Sequence, residues 1–410
     1  MLLDIFLALM QTFMAVVATV IAINQRREQK YDMRVEDLKK LVKSLNTERY
    51  WYYAAAQKYY HAALADHPTG VADYVLYERA WMQPDGDDHF VPLEDIVVHI
   101  PEHNLDIWNT DRNPKVPFLP TKAEGYAENA KFHCGTRLMN MPLYALERFE
   151  CTPDNRIHLY IKKGYYFDFY DTCEIMSAEM AYYRRIKTKK NLTPGHLPIR
   201  DSVKDIFDLT NRFAGIGIIT LTILKNVISP EGELRHYFLV HKRSQNVAEG
   251  TGSYHAIPAG SYQPATVEFP LETDPIDLNL GNTVTREFGE ELLGIDEFEN
   301  LYNSTLLSAG PQLPKPLFIG IGLDPLNLKT ELMSCLMIDV AADARVLRGK
   351  TTYQEIDEFL TGTYEGSVSL KELTVSMLRQ FSDNPMSIPS FRQILKTVEK
   401  HKEHFGVRDV

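Results

Sequence analysis

The stretch Arg286-Glu287-Phe288-Gly289-Glu290-Glu291-Leu292-Leu293-Gly294-Ile295 decides how this chain is read. It sets Glu287, Glu290 and Glu291 at relative positions i, i+3 and i+4, which fall on one face of a helix. Three carboxylates on one face repel one another, and packing alone does not select that arrangement. A divalent cation relieves the repulsion. Clusters of oxygen donors suit hard ions such as Mg²⁺ or Mn²⁺, and such ions bind and polarise phosphate oxygens. A Glu-rich surface helix with no bound ion is the competing reading.

The flanks of this stretch supply the rest of a compact unit. Upstream, Gly215-Ile216-Gly217-Ile218-Ile219-Thr220-Leu221-Thr222-Ile223-Leu224 predicts a strand buried on both faces. Pro230-Glu231-Gly232 is a turn, and Tyr237 to Lys242 makes the second strand of a hairpin. Downstream come two more strands, Leu317 to Gly322 and Glu331 to Val340. Gly320-Ile321-Gly322 lacks the third glycine and the following helix of a dinucleotide-binding turn.

The glutamate segment resembles the second half of the Nudix box, Arg-Glu-apolar-x-Glu-Glu-x-Gly-apolar, with Arg286, Glu287, Phe288, Glu290 and Glu291 at matching positions. Thr251 to Gly260, ending Ile257-Pro258-Ala259-Gly260, is similar to the strand and loop that lead into such a box. Two departures stand out. One extra residue precedes Gly294. The upstream half is missing, with Glu272 at the Gly position and Leu278 at the Glu position. The loop from Ser261 to Asp277 is also longer than the family's norm.

The resemblance implies an α/β fold, a Nudix-like α/β/α sandwich with a mixed sheet, over roughly 213 to 345. It also implies hydrolysis of the diphosphate bond of a nucleoside diphosphate derivative, with Mg²⁺ or Mn²⁺ as cofactor. Glu287, Glu290 and Glu291 would be the metal ligands. Glu290, Glu291 and Arg286 would form the catalytic set, with Arg286 orienting the glutamates. The substrate-binding candidates are Lys242, Arg243, His255 and Gly260. Lys242 and Arg243 either touch phosphate or cap the sheet, and His255 with Tyr254 would contact base or ribose. The alternative function is a non-catalytic nucleotide-binding sensor that signals through an N-terminal stalk and anchor.

That anchor is expected from Ile5 to Ile23, an apolar run broken by Gln11, Thr12 and Thr19. As a helix it would span about 28 Å, close to a hydrocarbon core. Arg26, Arg27 and Lys30 follow it and predict a cytoplasmic globular part on a single-pass membrane protein. Residues 24–67 read as a helical stalk that packs on the domain or self-associates into a homo-oligomer. Val35, Leu38, Val42 and Leu45 keep an a/d spacing that Arg49 breaks. Residues 70–205 read as a smaller α+β extension and 206–410 as the Nudix-like domain with C-terminal helices.

Within the extension, Tyr165 to Tyr170 reads as a strand, Glu174 to Ile186 as a helix and Asp85 to Asp88 as a turn. Ser369 to Val410 reads as mostly helical, with the helix from Ser390 presenting a solvated, mixed-charge face. The 410 residues suit two compact domains. The net charge of −11, from 44 Lys+Arg against 55 Asp+Glu, argues against broad electrostatic gripping of nucleic acid. Cys134, Cys151, Cys173 and Cys335 have no zinc-ligand spacing and read as free thiols of a reducing compartment.

Overall fold

The computed structural model describes residues 2–409 except 84–88, 101–115, 121–124, 137, 153, 155, 190, 245–251, 267, 270–274, 296–312 and 361–365, with side chains from residue 10 onward. The turn read at Asp85 to Asp88 and the position of Glu272 lie outside the described residues. The chain opens with two helices, α1 (Leu2–Thr47) and α2 (Arg49–Ala63). Short strands β1 (Gly70–Ala72), β2 (Leu76–Glu78) and β3 (Val97–His99) follow, then helix α3 (Tyr126–Cys134). Strands β4 (Pro142–Cys151) and β5 (Ile157–Tyr165) come next. A helical run then takes in α4 (Tyr166–Phe169), a π turn, α5 (Ile175–Arg185) and α6 (Pro198–Ser202).

The second half is built around β6 (Ile216–Ile228) and β7 (Leu234–Arg243). After them come β8 (Tyr254–His255), β9 (Ala259–Ser261), helix α7 (Pro275–Leu278) and helix α8 (Leu280–Leu293). Strands β10 (Leu317–Leu323), β11 (Thr330–Asp339) and β12 (Gly366–Glu372) complete the sheet, with helices at Tyr353–Leu360, Val375–Ser382 and Pro389–Lys400.

Among the described residues nine strands form one mixed sheet in the order β1-β2-β10-β11-β6-β7-β12, with β9 paired to β6 and β8 to β7. The centre is the parallel pair β6–β11, in register from Ile216 with Thr330 to Lys225 with Asp339. A strand between neighbours in a sheet covered on both faces must be apolar throughout, and Ile216–Leu224 is buried at every position. The two threonines inside that run are satisfied. Thr220 Oγ1 lies 2.7 Å from Ser334 Oγ, and Thr222 Oγ1 donates to the Ile257 carbonyl at 2.7 Å.

β6 divides its other edge between two partners. Gly217–Ile219 pair with β9, whereas Ile223–Ile228 pair with β7. Alternate residues of β6 face opposite layers. Leu224 packs with Phe288 and Leu292 of α8. Ile219, Leu221 and Ile223 pack with Phe391, Ile394 and Leu395 of the C-terminal helix. Helices therefore cover both faces, as the sandwich reading expects. The three strands β3-β5-β4 form a second sheet, and β4 meets the start of β6 through a bridge between Ala145 and Gly215.

Four expectations are corrected. The run read as a membrane span is the beginning of the 46-residue helix α1, and among the described residues no helix is long and apolar enough to cross a membrane. The membrane anchor, and the single-pass placement that rested on it, are therefore withdrawn. Farther along α1, Leu38, Leu41 and Leu45 are buried, and the helix packs on α3 and α5.

Tyr166–Phe169 is helix rather than strand. Asp168 accepts from the Tyr165 N–H at 2.7 Å and caps it. Gly366–Glu372 is a strand on β7, within the segment read as helical. The helix from Pro389 does not present a solvated face, because Phe391, Ile394, Leu395 and Val398 are fully buried in the core beneath the sheet.

Candidate functional site

Helix α8 starts where Asn279 Oδ1 accepts from the N–H groups of Gly281 (2.8 Å) and Asn282 (3.3 Å). It ends at Gly294, which takes the left-handed cap (φ 66°). The extra residue before Gly294 is accommodated inside the helix, with Leu292 buried and Leu293 half-buried. Val284, Phe288 and Leu292 seat the helix on the sheet, so the Glu-bearing turns face β9 rather than open solvent.

The contacts with β9 are specific. Glu291 Oε2 accepts from the Ala259 N–H at 2.9 Å. The Glu287 carboxyl lies against Gly260, so closely that a Cβ at Gly260 would fall on it. Arg286 pairs with Glu287 at 3.4 Å and donates to the Gln263 carbonyl at 3.4 Å. The side chains of Arg286 and Glu287 keep only 9% and 13% of their exposure. Glu290 is half-buried on the same helix. A glutamate-rich helix serving only as solvated surface would not send two carboxylates onto successive backbone positions of a strand.

Among the described residues no three His, Cys, Asp or Glu converge into an all-protein metal cage. Mg²⁺ is ordinarily held by one or two carboxylates together with water and phosphate oxygens. Glu287 and Glu291, brought to adjacent residues of β9 beside a glycine that leaves space, fit that donor set.

The remaining candidates separate. Arg243 and His255 line a small polar pocket of about 60 Å³ on the other side of β6. Lys242 points elsewhere, with its Nζ 5.8 Å from the Tyr254 ring. Tyr254 packs edge-on against Phe381 at 5.2 Å. Gly260 belongs to the glutamate side.

His255 is buried, and its Nδ1 lies 2.6 Å from the Ala256 carbonyl oxygen, so that nitrogen carries the proton. Burial, and then the Arg243 charge, hold its pKa well below 6.5. It is a neutral imidazole in this pocket.

The pocket also contains residues that the sequence did not single out. Arg49 and Tyr53 enter from α2, Asp324, Asn327 and Lys329 from the β10–β11 connection, and Glu331 from the start of β11. Arg49 pairs with buried Glu174 at 3.6 Å and donates to Tyr53 Oη at 3.1 Å. Glu174 accepts from Asn327 Nδ2 at 2.7 Å. Asp324 accepts from the Leu326 N–H at 2.7 Å, and burial raises its pKa against the pull of Arg49.

Lys329 pairs with Glu331 at 3.4 Å, and both lie over Gly217, where a Cβ would stand 2.7 Å from Lys329 Nζ. Gly217 pairs with Ser261, and its neighbour Ile218 pairs with Gly260. Two glycines in successive rungs of the β6–β9 ladder thus admit charged side chains, one on each face of the sheet. A Gly on a strand facing Lys-x-Glu on its parallel neighbour was the sequence signal for this pocket, but reading it requires knowing the register.

No family model matches the chain, and no curated protein matches it. Several solved structures align with part of it, including two Nudix proteins. One is a mutT/nudix family protein from Listeria innocua, with 14% identity and a TM-score of 0.26 over 46% of this chain and 94% of that one. The other is a NUDIX hydrolase from Alicyclobacillus acidocaldarius, with 13% identity and a TM-score of 0.29 over 48% of this chain and 96% of that one.

Proposed function

We propose that the chain is a metal-dependent hydrolase that cleaves the diphosphate bond of a nucleoside diphosphate derivative. The observation that carries this reading is the seating of α8 on β9, with Glu287 against Gly260 and Glu291 on the Ala259 N–H. Glu287 and Glu291 would hold Mg²⁺ or Mn²⁺, which when bound neutralises and polarises the diphosphate oxygens. Arg286 keeps Glu287 in place through their ion pair. Glu290 is the carboxylate we assign to take a proton from the attacking water. Arg243 and the neutral His255 line the separate pocket across β6, on the other face of the sheet, and are given no part in the hydrolysis.

One observation favours a second reading, a nucleotide sensor without turnover. At about 60 Å³ the polar pocket has room for only one or two waters, and Arg49 and Tyr53 of α2 form part of its wall. A ligand larger than water would have to displace α2 to enter, which would link occupancy to the position of that helix.

The deciding experiment is nucleotide or phosphate release by the purified full chain with Mg²⁺ or Mn²⁺, over a panel of nucleoside diphosphate derivatives. The Glu290→Gln/Glu291→Gln variant serves as the control. Product from the wild type alone is the expected outcome. Equal product from the double variant would refute the site. No product, with thermal stabilisation by one compound, would establish the sensor.

A further inference from the structure

We infer that the chain self-associates through the first half of α1, where an apolar seam fits the same helix of a second copy. Phe13, Val16, Val20 and Ile23 follow one another at alternating steps of three and four residues, and the sequence carries that spacing back to Leu9 and Phe6. This is the repeat of a coiled-coil seam, in which each apolar side chain enters a hole on a facing helix. Arg27 and Lys30 take the next two positions of the repeat and end it.

The seam lies open in the single chain. Phe13 is 63% exposed, Val16 56%, Val20 51% and Ile23 45%. A contiguous apolar stripe in water marks an interaction surface. Farther along the same helix the contrast is complete, since Leu38, Leu41 and Leu45 are buried in the core of their own chain. The heptad stretch expected to self-associate is therefore used internally, and the open seam lies before it.

The pattern around the helix selects the occupant. Met10, Met14, Val17 and Ile21 widen the seam along one flank, whereas the opposite face carries Gln11, Thr12, Ala15, Ala18, Thr19 and Ala22. A helix surrounded by lipid is apolar on all sides. A helix lying on a lipid surface carries a strongly charged polar face, and Met10 to Gln25 contains no charged residue. One apolar face backed by a small, uncharged one suits a helical partner, and every copy of this chain brings the matching repeat.

Sedimentation equilibrium of the full chain without detergent reads the association directly. The seam is short, so wild type should pass from monomer to dimer over the micromolar range. Val16→Glu/Val20→Glu should remain monomeric over that range, because its carboxylates would be buried against apolar neighbours. Ala18→Glu places the same charge on the opposite face and should dimerise like wild type. All three positions are exposed in the single chain, so neither variant should shift the melting temperature of the monomer. The inference is overturned if wild type forms no dimer, if the double variant still dimerises, or if Ala18→Glu dissociates the dimer equally. Flotation of monomeric wild type with phosphatidylcholine vesicles would also overturn it, by giving the seam to lipid.

Discussion

The α8–β9 face and the polar pocket across β6 are both dense in charge, but they are assembled in opposite ways. On the α8 side the charged groups come from six consecutive residues, Arg286 to Glu291, and helix geometry alone orients them. In the pocket they come from α2, the end of β7, β8, the β10–β11 connection and the start of β11, and only the finished sheet brings them together. A site built from one turn of helix announces itself in the sequence, whereas a convergent site does not. The two should also fail differently when altered, the first through chemistry and the second through stability and binding.

The largest effect is expected at the glutamates. Glu290→Gln/Glu291→Gln should lower turnover on the order of a thousandfold, the scale of lost charge stabilisation in the transition state, while circular dichroism and the melting temperature stay near wild type. A large loss of stability instead would make the α8 face structural and erase the contrast. Next is Arg49→Met, which leaves the buried Glu174 without its cation. It should lower unfolding free energy by about 3 kcal/mol, read as a shift of the urea midpoint. An unchanged midpoint would mean that the pocket network does not hold α2 to the sheet.

The two glycines permit a matched test, because each abuts the end of a flexible side chain. Gly260→Ala should displace Glu287 and lower kcat by about tenfold. Gly217→Ala should displace the Lys329–Glu331 pair on the other face and leave kcat unchanged. Neither should change stability by more than about 1 kcal/mol. Equal effects of both variants on kcat would merge the two regions into one.

The smallest effect is with pH. His255 is neutral in the fold and its folded pKa is depressed, so its contribution is fully present above 6.5. That contribution falls as pH drops toward the folded value, by up to about 1.4 kcal/mol per pH unit. Asp171, raised to about 6 chiefly by burial, works in the opposite sense and loses its contribution as pH rises through that value. Urea midpoints at pH 7.5 and 5.5 should therefore be compared between wild type and His255→Gln, and the variant should lose less on acidification.

The central strands, their hairpin and the Glu helix were legible because period, turn residues and caps are local. Gly232 at the β6–β7 turn has φ +83°, as the Pro-Glu-Gly reading requires. The last long helix was legible too but misjudged. Phe391, Ile394, Leu395 and Val398 are the i, i+3, i+4, i+7 stripe of a buried face, and the mixed charge at its end drew attention away from it. Arg49 looked like an interruption of a heptad, and it is instead the partner of a carboxylate 125 positions later, Glu174. The glycines at 320 and 322 have a packing reason, since Cβ atoms there would collide with Met82 and Val75. None of these long-range pairings leaves a trace in spacing along the chain.

The parallel pair at the centre of the sheet has a kinetic consequence. Each residue of β11 is matched to one 114 positions earlier in β6, from Thr330 with Ile216 to Asp339 with Lys225. The β6–β7 hairpin closes over far less chain, Ile228 meeting Leu234 across a turn. Loop-closure entropy places the hairpin first and the β11 docking late. Until β11 arrives, the apolar run Ile216–Leu224 lies at an open edge, with main-chain donors and acceptors available to another chain. The strand that anchors the finished molecule is also the one that most needs protection while the molecule is being made.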